Sequence, residues 1–203
     1  MLLLDRTEIA NPAITRAQMG FNHQTILRAN GTLGAGFQEF TAPVDSSFTS
    51  LQFTVFAECV KSISVTAPSG AEAAGVKLSS GRIVFVDGPE RGVWRIKLAG
   101  TGYFSAIAQG KSEIVLGLNV APPKAGQEES LTAYLSGPVG TAEFRILSRD
   151  GRTLRIIPMT QAGSEFHGVF LPPSEPFRLA VEGKDGEGSL FRRVHTPLFE
   201  ANP

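Results

Sequence analysis

Short alternating strands predict an all-β protein built as two tandem β-sandwiches. Three observations carry this. Leu51–Ala57 (LQFTVFA), Val93–Leu98 (VWRIKL) and Phe177–Glu182 (FRLAVE) are β-type runs with apolar residues at every second position. Gly, Pro, Asp and Ser clusters punctuate such runs along the chain, the spacing of sandwich strands. The 203 residues also exceed what one sandwich of roughly 100 residues needs. The expected division is an arm over 1–30, a first sandwich over 31–118 and a second, immunoglobulin-like one over 119–203.

The arm stands apart in its pattern. Leu2, Leu3, Leu4, Ile9, Ile14, Met19, Ile26 and Leu27 have loose helical spacing. Asn11-Pro12 suits a helix start, with Asn as cap and Pro at the first helical position. A short helix or irregular segment is expected there. Its MLLLD opening has too short an apolar run, with Asp5 at once behind it, to read as a signal peptide.

From Gly31 the period becomes two. Phe37–Thr41 is a first strand and Asp45-Ser46-Ser47 a turn. Leu51–Ala57 and Val60–Thr66 follow as strands, and Ala67-Pro68-Ser69-Gly70 closes the second. Residues 71–81 read as a small-residue loop or edge strand. Arg82–Val86 is a strand, then Asp87–Gly92 a long turn. Val93–Ala99 and Tyr103–Gln109 read as a hairpin across Gly100-Thr101-Gly102. Trp94 is the expected apolar anchor, since its large area stabilises most when packed.

Ala121-Pro122-Pro123-Lys124-Ala125-Gly126 is the expected linker, stiffened by Pro-Pro. Leu131 opens the second series of strands. Ala142–Ser148 and Thr153–Ile157 flank Asp150-Gly151, a strong hairpin signal. Glu165–Leu171, Phe177–Glu182 and Ser189–Val194 complete the series.

Composition narrows the function. The 19 Lys and Arg balance 19 Asp and Glu, and the two parts split at residue 117 are each near balance. Nucleic-acid binding needs a basic field that such a chain lacks. No run approaches the roughly 20 apolar residues of a membrane-spanning helix. The 14 Phe against one Trp and two Tyr indicate packed strands rather than an aromatic binding surface. Cys59, the single cysteine, excludes an internal disulfide and a CxxC site, and is expected as a buried or semi-buried thiol.

Several segments together carry a family resemblance: PVDSSFTSLQFTVF, SVTAPSG, GPERGVWRIKLAGTGYFS and PFRLAVEGKDGEGSLFRRVHTPLF. Their order resembles the β-rich region after the von Willebrand factor A domain in hemicentin-type extracellular proteins. Pro89, Gly92 and Trp94 supply the P-x-x-G-x-W motif, which also occurs in pre-peptidase C-terminal domains. The likeness spans roughly residues 25–200. It implies a non-catalytic adhesion or accessory region in an extracellular or cell-envelope protein, with no cofactor. The D-x-S-x-S metal motif of the A domain is missing, so metal-dependent adhesion does not carry over. The 1–30 arm is then the tail that joins an A domain.

Candidate chemistry is sparse. His23, His167 and His195 lie in separate segments with no G-x-S-x-G elbow and no paired zinc spacing, so no catalytic set is read. Glu182, Asp185 and Glu187 crowd one turn, the best calcium candidate, although a solvated hairpin tip has the same composition. Arg145, Arg149 and Arg152 surround the Asp150-Gly151 turn. With a two-residue loop Arg149 would face Arg152, a like-charge pair that an anionic partner could relieve, as could Asp150 or Glu143. Asn30-Gly31-Thr32 fits the N-glycosylation pattern. The expected function is a binding or structural module for a protein partner or larger assembly. A carbohydrate-binding accessory module of a secreted enzyme is the alternative.

Overall fold

The computed structural model describes residues 22–34 and 36–201. Fourteen β-strands and no helix make up these residues, in several antiparallel sheets. Asn11-Pro12 and the rest of 1–21 lie outside them. The part of the expected arm that is described is not helical: β1 (His23–Leu33) begins there, with Ile26, Leu27 and Ala29 buried.

The first sheet holds β1, β2 (Phe37–Val44), β3 (Phe48–Thr66), β4 (Val76–Leu78), β5 (Gly81–Asp87) and β6 (Gly92–Ser112). Its order is β1-β6-β3-β5-β4, and β2 also pairs with β6. The two long strands make it a sandwich. Residues 92–99 of β6 pair with β2 and with the end of β3, whereas residues 102–111 pair with β1 and with the start of β3. The sheet therefore folds over itself, and its two layers touch through Phe40 and Phe104 (ring centroids 5.4 Å apart) and Phe53 and Trp94 (5.2 Å). Burying rings of this size contributes about 1.5–3 kcal/mol each.

One expected turn and one expected break between strands are absent because they mark this fold line. Gly100-Thr101-Gly102 lies inside β6 rather than at a hairpin tip. A Cβ on Gly100 would stand 2.3 Å from the Cys59 carbonyl oxygen, and Gly102 has φ +83°. The glycines serve a close approach and a bend, which look like a turn in sequence. Opposite them, Leu51–Ala57 and Val60–Thr66 are one strand interrupted by bulges between Ala57 and Cys59 and between Val60 and Ser62. The first bulge breaks the alternation, so Cys59 is exposed, not buried or semi-buried as expected.

The second group comprises β7 (Val115–Val120), β8 (Glu129–Ser136), β9 (Val139–Ser148), β10 (Thr153–Ile157), β11 (Met159–Ala162), β12 (Glu165–Phe170), β13 (Phe177–Asp185) and β14 (Leu190–Val194). They form two four-stranded sheets, β10-β9-β13-β14 and β11-β12-β8-β7. Leu131, Ala133, Phe144, Phe166, Phe177 and Val181 belong to the core between them. Phe144 meets Phe166 across that core, ring centroids 5.1 Å apart.

The core of the first sheet is a separate cluster. The change from one system to the other falls at Glu113–Ile114, since β7 pairs with β8 from Val115↔Ser136 to Val120↔Leu131. Ala121–Gly126 thus joins two strands of one sheet and is no linker between modules, and the expected 118/119 boundary falls inside β7. A Pro-Pro-Gly loop looks the same in either setting.

Candidate binding site at the junction of the two cores

The P-x-x-G-x-W motif is structural. Gly92 has φ +124°, and a Cβ there would come within 3.1 Å of the Pro68 ring. The backbone then places Trp94, 3% exposed, against Phe53, with Nε1–H donating to the Glu90 carbonyl at 2.9 Å. Pro89 is buried beside it in the chain.

The residues joining the two cores come from an unexpected place. In FRRV (191–194) the two consecutive arginines point to opposite faces of the strand, and Arg193 shares the face of buried Phe191. Arg193 is 0% exposed. Its Nε donates to Ile114 O (2.8 Å), Nη1 to Asp45 Oδ2 (2.7 Å) and Arg192 O (2.8 Å), and Nη2 to Ser112 Oγ (2.6 Å) and Ser47 Oγ (3.3 Å). These five bonds use the full donor set of a guanidinium. The cation also lies 4.7 Å from the Phe48 ring centroid and 5.7 Å from that of Phe191. Burial pulls the Arg193 pKa below the ordinary arginine value, opposed by the hydrogen bond and charge of Asp45.

The Asp45-Ser46-Ser47 turn, expected as a solvated connection, receives this cation. Asp45 is 1% exposed and accepts the Ser47 amide at 3.1 Å. Ser46 donates its amide (3.0 Å) and hydroxyl (2.7 Å) to Asp185 Oδ2. The other oxygen of Asp185 accepts the amides of Glu187 (2.9 Å) and Ser189 (2.8 Å). Burial pushes the Asp185 pKa up, but the Ser46, Ser189 and Glu187 donors outweigh it and hold the carboxyl below its usual value.

The acidic turn proposed for calcium is therefore occupied by protein partners. Glu187 pairs with Arg91, and Glu182 with Arg192 and Arg145. Among the described residues no three His, Cys, Asp or Glu side chains converge as a metal site. A carboxylate cluster and a set of inter-sheet acceptors share one sequence signal.

The three hairpin arginines do not act together. Ser148 accepts from the Gly151 amide (3.0 Å) and donates to Arg152 O (2.8 Å), so the loop is Arg149-Asp150-Gly151 and Ser148, not Arg149, faces Arg152. Gly151, φ +88°, takes the left-handed position of a three-residue loop, and the Ser148 hydroxyl bonds Asp150. Arg149 and Arg152 are exposed, and the Arg149 carbonyl accepts the Asn30 amide of β1 at 3.0 Å. Arg145 is turned into a groove, held by Glu143 and by Glu182 (3.1 Å).

That groove lies at the junction and encloses about 400 Å³. One wall is Thr41, Pro43 and Val93 of the first sheet, and the other is the outer face of β9, β13 and β14. Arg192 bridges them, donating to the Thr41 carbonyl at 3.1 Å while paired with Glu182.

The histidines stay apart. His23 is on β1, with burial and Lys111 lowering its pKa. His167, on β12, is 3.2 Å from Glu165. His195 stacks on Phe199, and burial lowers its pKa. Asn30 is 3% exposed, with Nδ2 donating to the Tyr103 hydroxyl at 3.1 Å, so the glycosylation pattern falls on an enclosed side chain. Among the described residues no helix is long and apolar enough to cross a membrane.

No protein-family model matches the chain. It is similar to mouse hemicentin-1, 29% identical over 144 residues, covering 61% of this chain and 3% of that protein. Human hemicentin-1 matches at 28% over the same length. The chain thus spans about 3% of the length of these relatives. Among solved structures, a DUF4785 family protein from Legionella pneumophila covers 89% of this chain and 62% of its own, with TM-score 0.51 and 12% identity, a likeness of fold alone. The hemicentin-like character read from the sequence is thus met by sequence similarity over more than half of the chain.

Proposed function

We propose that the chain is a non-catalytic module that mediates protein–protein contact, adhesion or assembly in an extracellular or cell-envelope setting. The observation that carries this reading is the buried Arg193 junction. It ties two cores into one body and leaves a groove and several sheet faces outward, an arrangement that suits presenting a fixed surface to a partner. The likeness to hemicentin-1 supports the extracellular setting and the absence of chemistry. The test is binding of the immobilised chain to a panel of secreted and matrix proteins. Saturable binding to a defined protein is expected. Turnover of a substrate that disappears on substituting one histidine would contradict the reading.

A carbohydrate-binding role is favoured by one feature. Tyr134 is 43% exposed on β8, paired with Gly117 on one side and Glu165 on the other. Thr132 and His167 lie two positions along the same face. A ring bare of neighbouring bulk and flanked by hydrogen-bonding groups suits a sugar face. Retention on a glycan array, lost in Tyr134→Ala, with no protein bound, would favour this role instead.

A further inference from the structure

We propose that the groove between the two cores binds an extended acidic peptide segment that also carries apolar side chains, supplied by a partner protein. The inference rests on the protein-binding reading above and names the surface and the ligand chemistry.

Charge is the first argument. Three cations line the groove, Arg145, Lys184 and Arg192, against two carboxylates, Glu143 and Glu182. Both carboxylates are already engaged, Glu182 by Arg192 and Arg145 and Glu143 by Arg145. Lys184 is exposed and makes no ion pair among the described residues. The surplus continues on the adjoining face of the first sheet, where Arg95 (3.0 Å) and Lys97 (3.5 Å) share Glu39. In a chain of zero net charge this is a local excess that attracts and orients an anionic partner.

The lining then separates a peptide from a sulfated glycan. Leu190, 53% exposed, and half-buried Val93 stand among the cations, beside the buried Pro43. A polysulfated chain offers nothing to cover the apolar side chains. An alternating acidic and apolar segment satisfies both kinds of wall. Among the described residues β2 pairs only with β6, and although β14 packs on part of it, its other edge carries no strand, which suits an extended peptide, the usual route for peptide addition to a sheet. Pro43 and the Arg192 bond to Thr41 close the inner end of that edge and leave Phe37–Glu39 for pairing.

The experiment uses the full chain and a fluorescent heptapeptide of alternating Glu and Val, followed by anisotropy. A Lys and Val peptide, a heparin oligosaccharide and a Glu and Val peptide N-methylated along one backbone edge are the comparisons. The expected result is saturable binding of the Glu and Val peptide alone. Lys184→Glu and Arg95→Glu, checked for an unchanged thermal midpoint, should each weaken it by about tenfold. The proposal is overturned if that peptide does not bind, if both reversals leave its affinity unchanged, or if heparin binds where the peptide does not. A protein partner that binds equally well to Lys184→Glu would remove the groove assignment while leaving the module reading in place.

Discussion

Arg193 is the residue on which the junction depends. A buried guanidinium is tolerated only when its charge and donors are met, and removing one partner leaves the other uncompensated. Asp45→Asn should therefore weaken the junction by about 3–5 kcal/mol, read as a fall in the urea concentration at which unfolding begins. Replacing both residues together, Asp45→Val with Arg193→Met, should recover part of the loss, since an apolar pair leaves no orphaned charge. A double variant less stable than Asp45→Asn would show that the ion pair itself, not its satisfaction, is what matters.

The histidines give a pH dependence of definite sign. Burial holds the folded His195 below the ordinary histidine value of 6.5, so the neutral form is favoured in the fold and the unfolded chain takes up protons first. Its contribution is complete above pH 6.5 and is lost as pH falls through the lower folded value. His23 acts in the same direction. The unfolding midpoint should drop between about pH 7.5 and about pH 5.5, and His195→Gln should flatten part of that drop. An equal drop in the variant would assign the effect elsewhere. Asp185 has the same sign but acts only at the acid end, near and below 3.8.

At the scale of elements, alternation revealed most strands and misjudged their ends. The Leu51, Phe53 and Val55 face and the FRLAVE strand were legible because one side meets a core and the other does not. Three features were not. The fold line through Gly100 and Cys59 carries turn residues without reversing the chain. The Ala121–Gly126 loop has linker composition inside a sheet. The Arg149–Gly151 loop has one residue more than Asp-Gly alone suggests, which moves Arg149 off the strand. The Arg192-Arg193 pair and Asp45 left a partial signal in the sequence, since alternation puts Arg193 on the same face as Phe191, but nothing local to either segment identifies its partner 148 residues away.

The fold line has its own test. Gly100→Ala would put a methyl against the Cys59 carbonyl at 2.3 Å, which backbone movement alone can relieve. Such overpacking costs about 1–3 kcal/mol. Hydrogen exchange should accelerate across Val60–Val65 and Trp94–Leu98, where β3 and β6 pair beyond the bend. Gly34→Ala, which meets nothing within 4 Å among the described residues, is the matched control and should change neither.

At the scale of the whole molecule, the sheet edges explain why the two cores join. β14 ends one sheet and β7 the other, and unpaired edges invite aggregation. Both lie against the first sheet. β14 packs on β1 and β2, and the Leu116 amide of β7 donates to the Gln24 side chain at 3.1 Å. The junction thus covers two edges, encloses Arg193 and forms the groove in a single contact, so the binding surface exists only when the cores are coupled.

Scanning calorimetry of the intact chain beside Asp45→Asn tests that coupling most directly. One transition is expected for the intact chain, with calorimetric and van't Hoff enthalpies equal, and two separated transitions for Asp45→Asn. Two transitions already present in the intact chain would contradict the coupling, because the cores would then be independent and the groove between them no fixed surface.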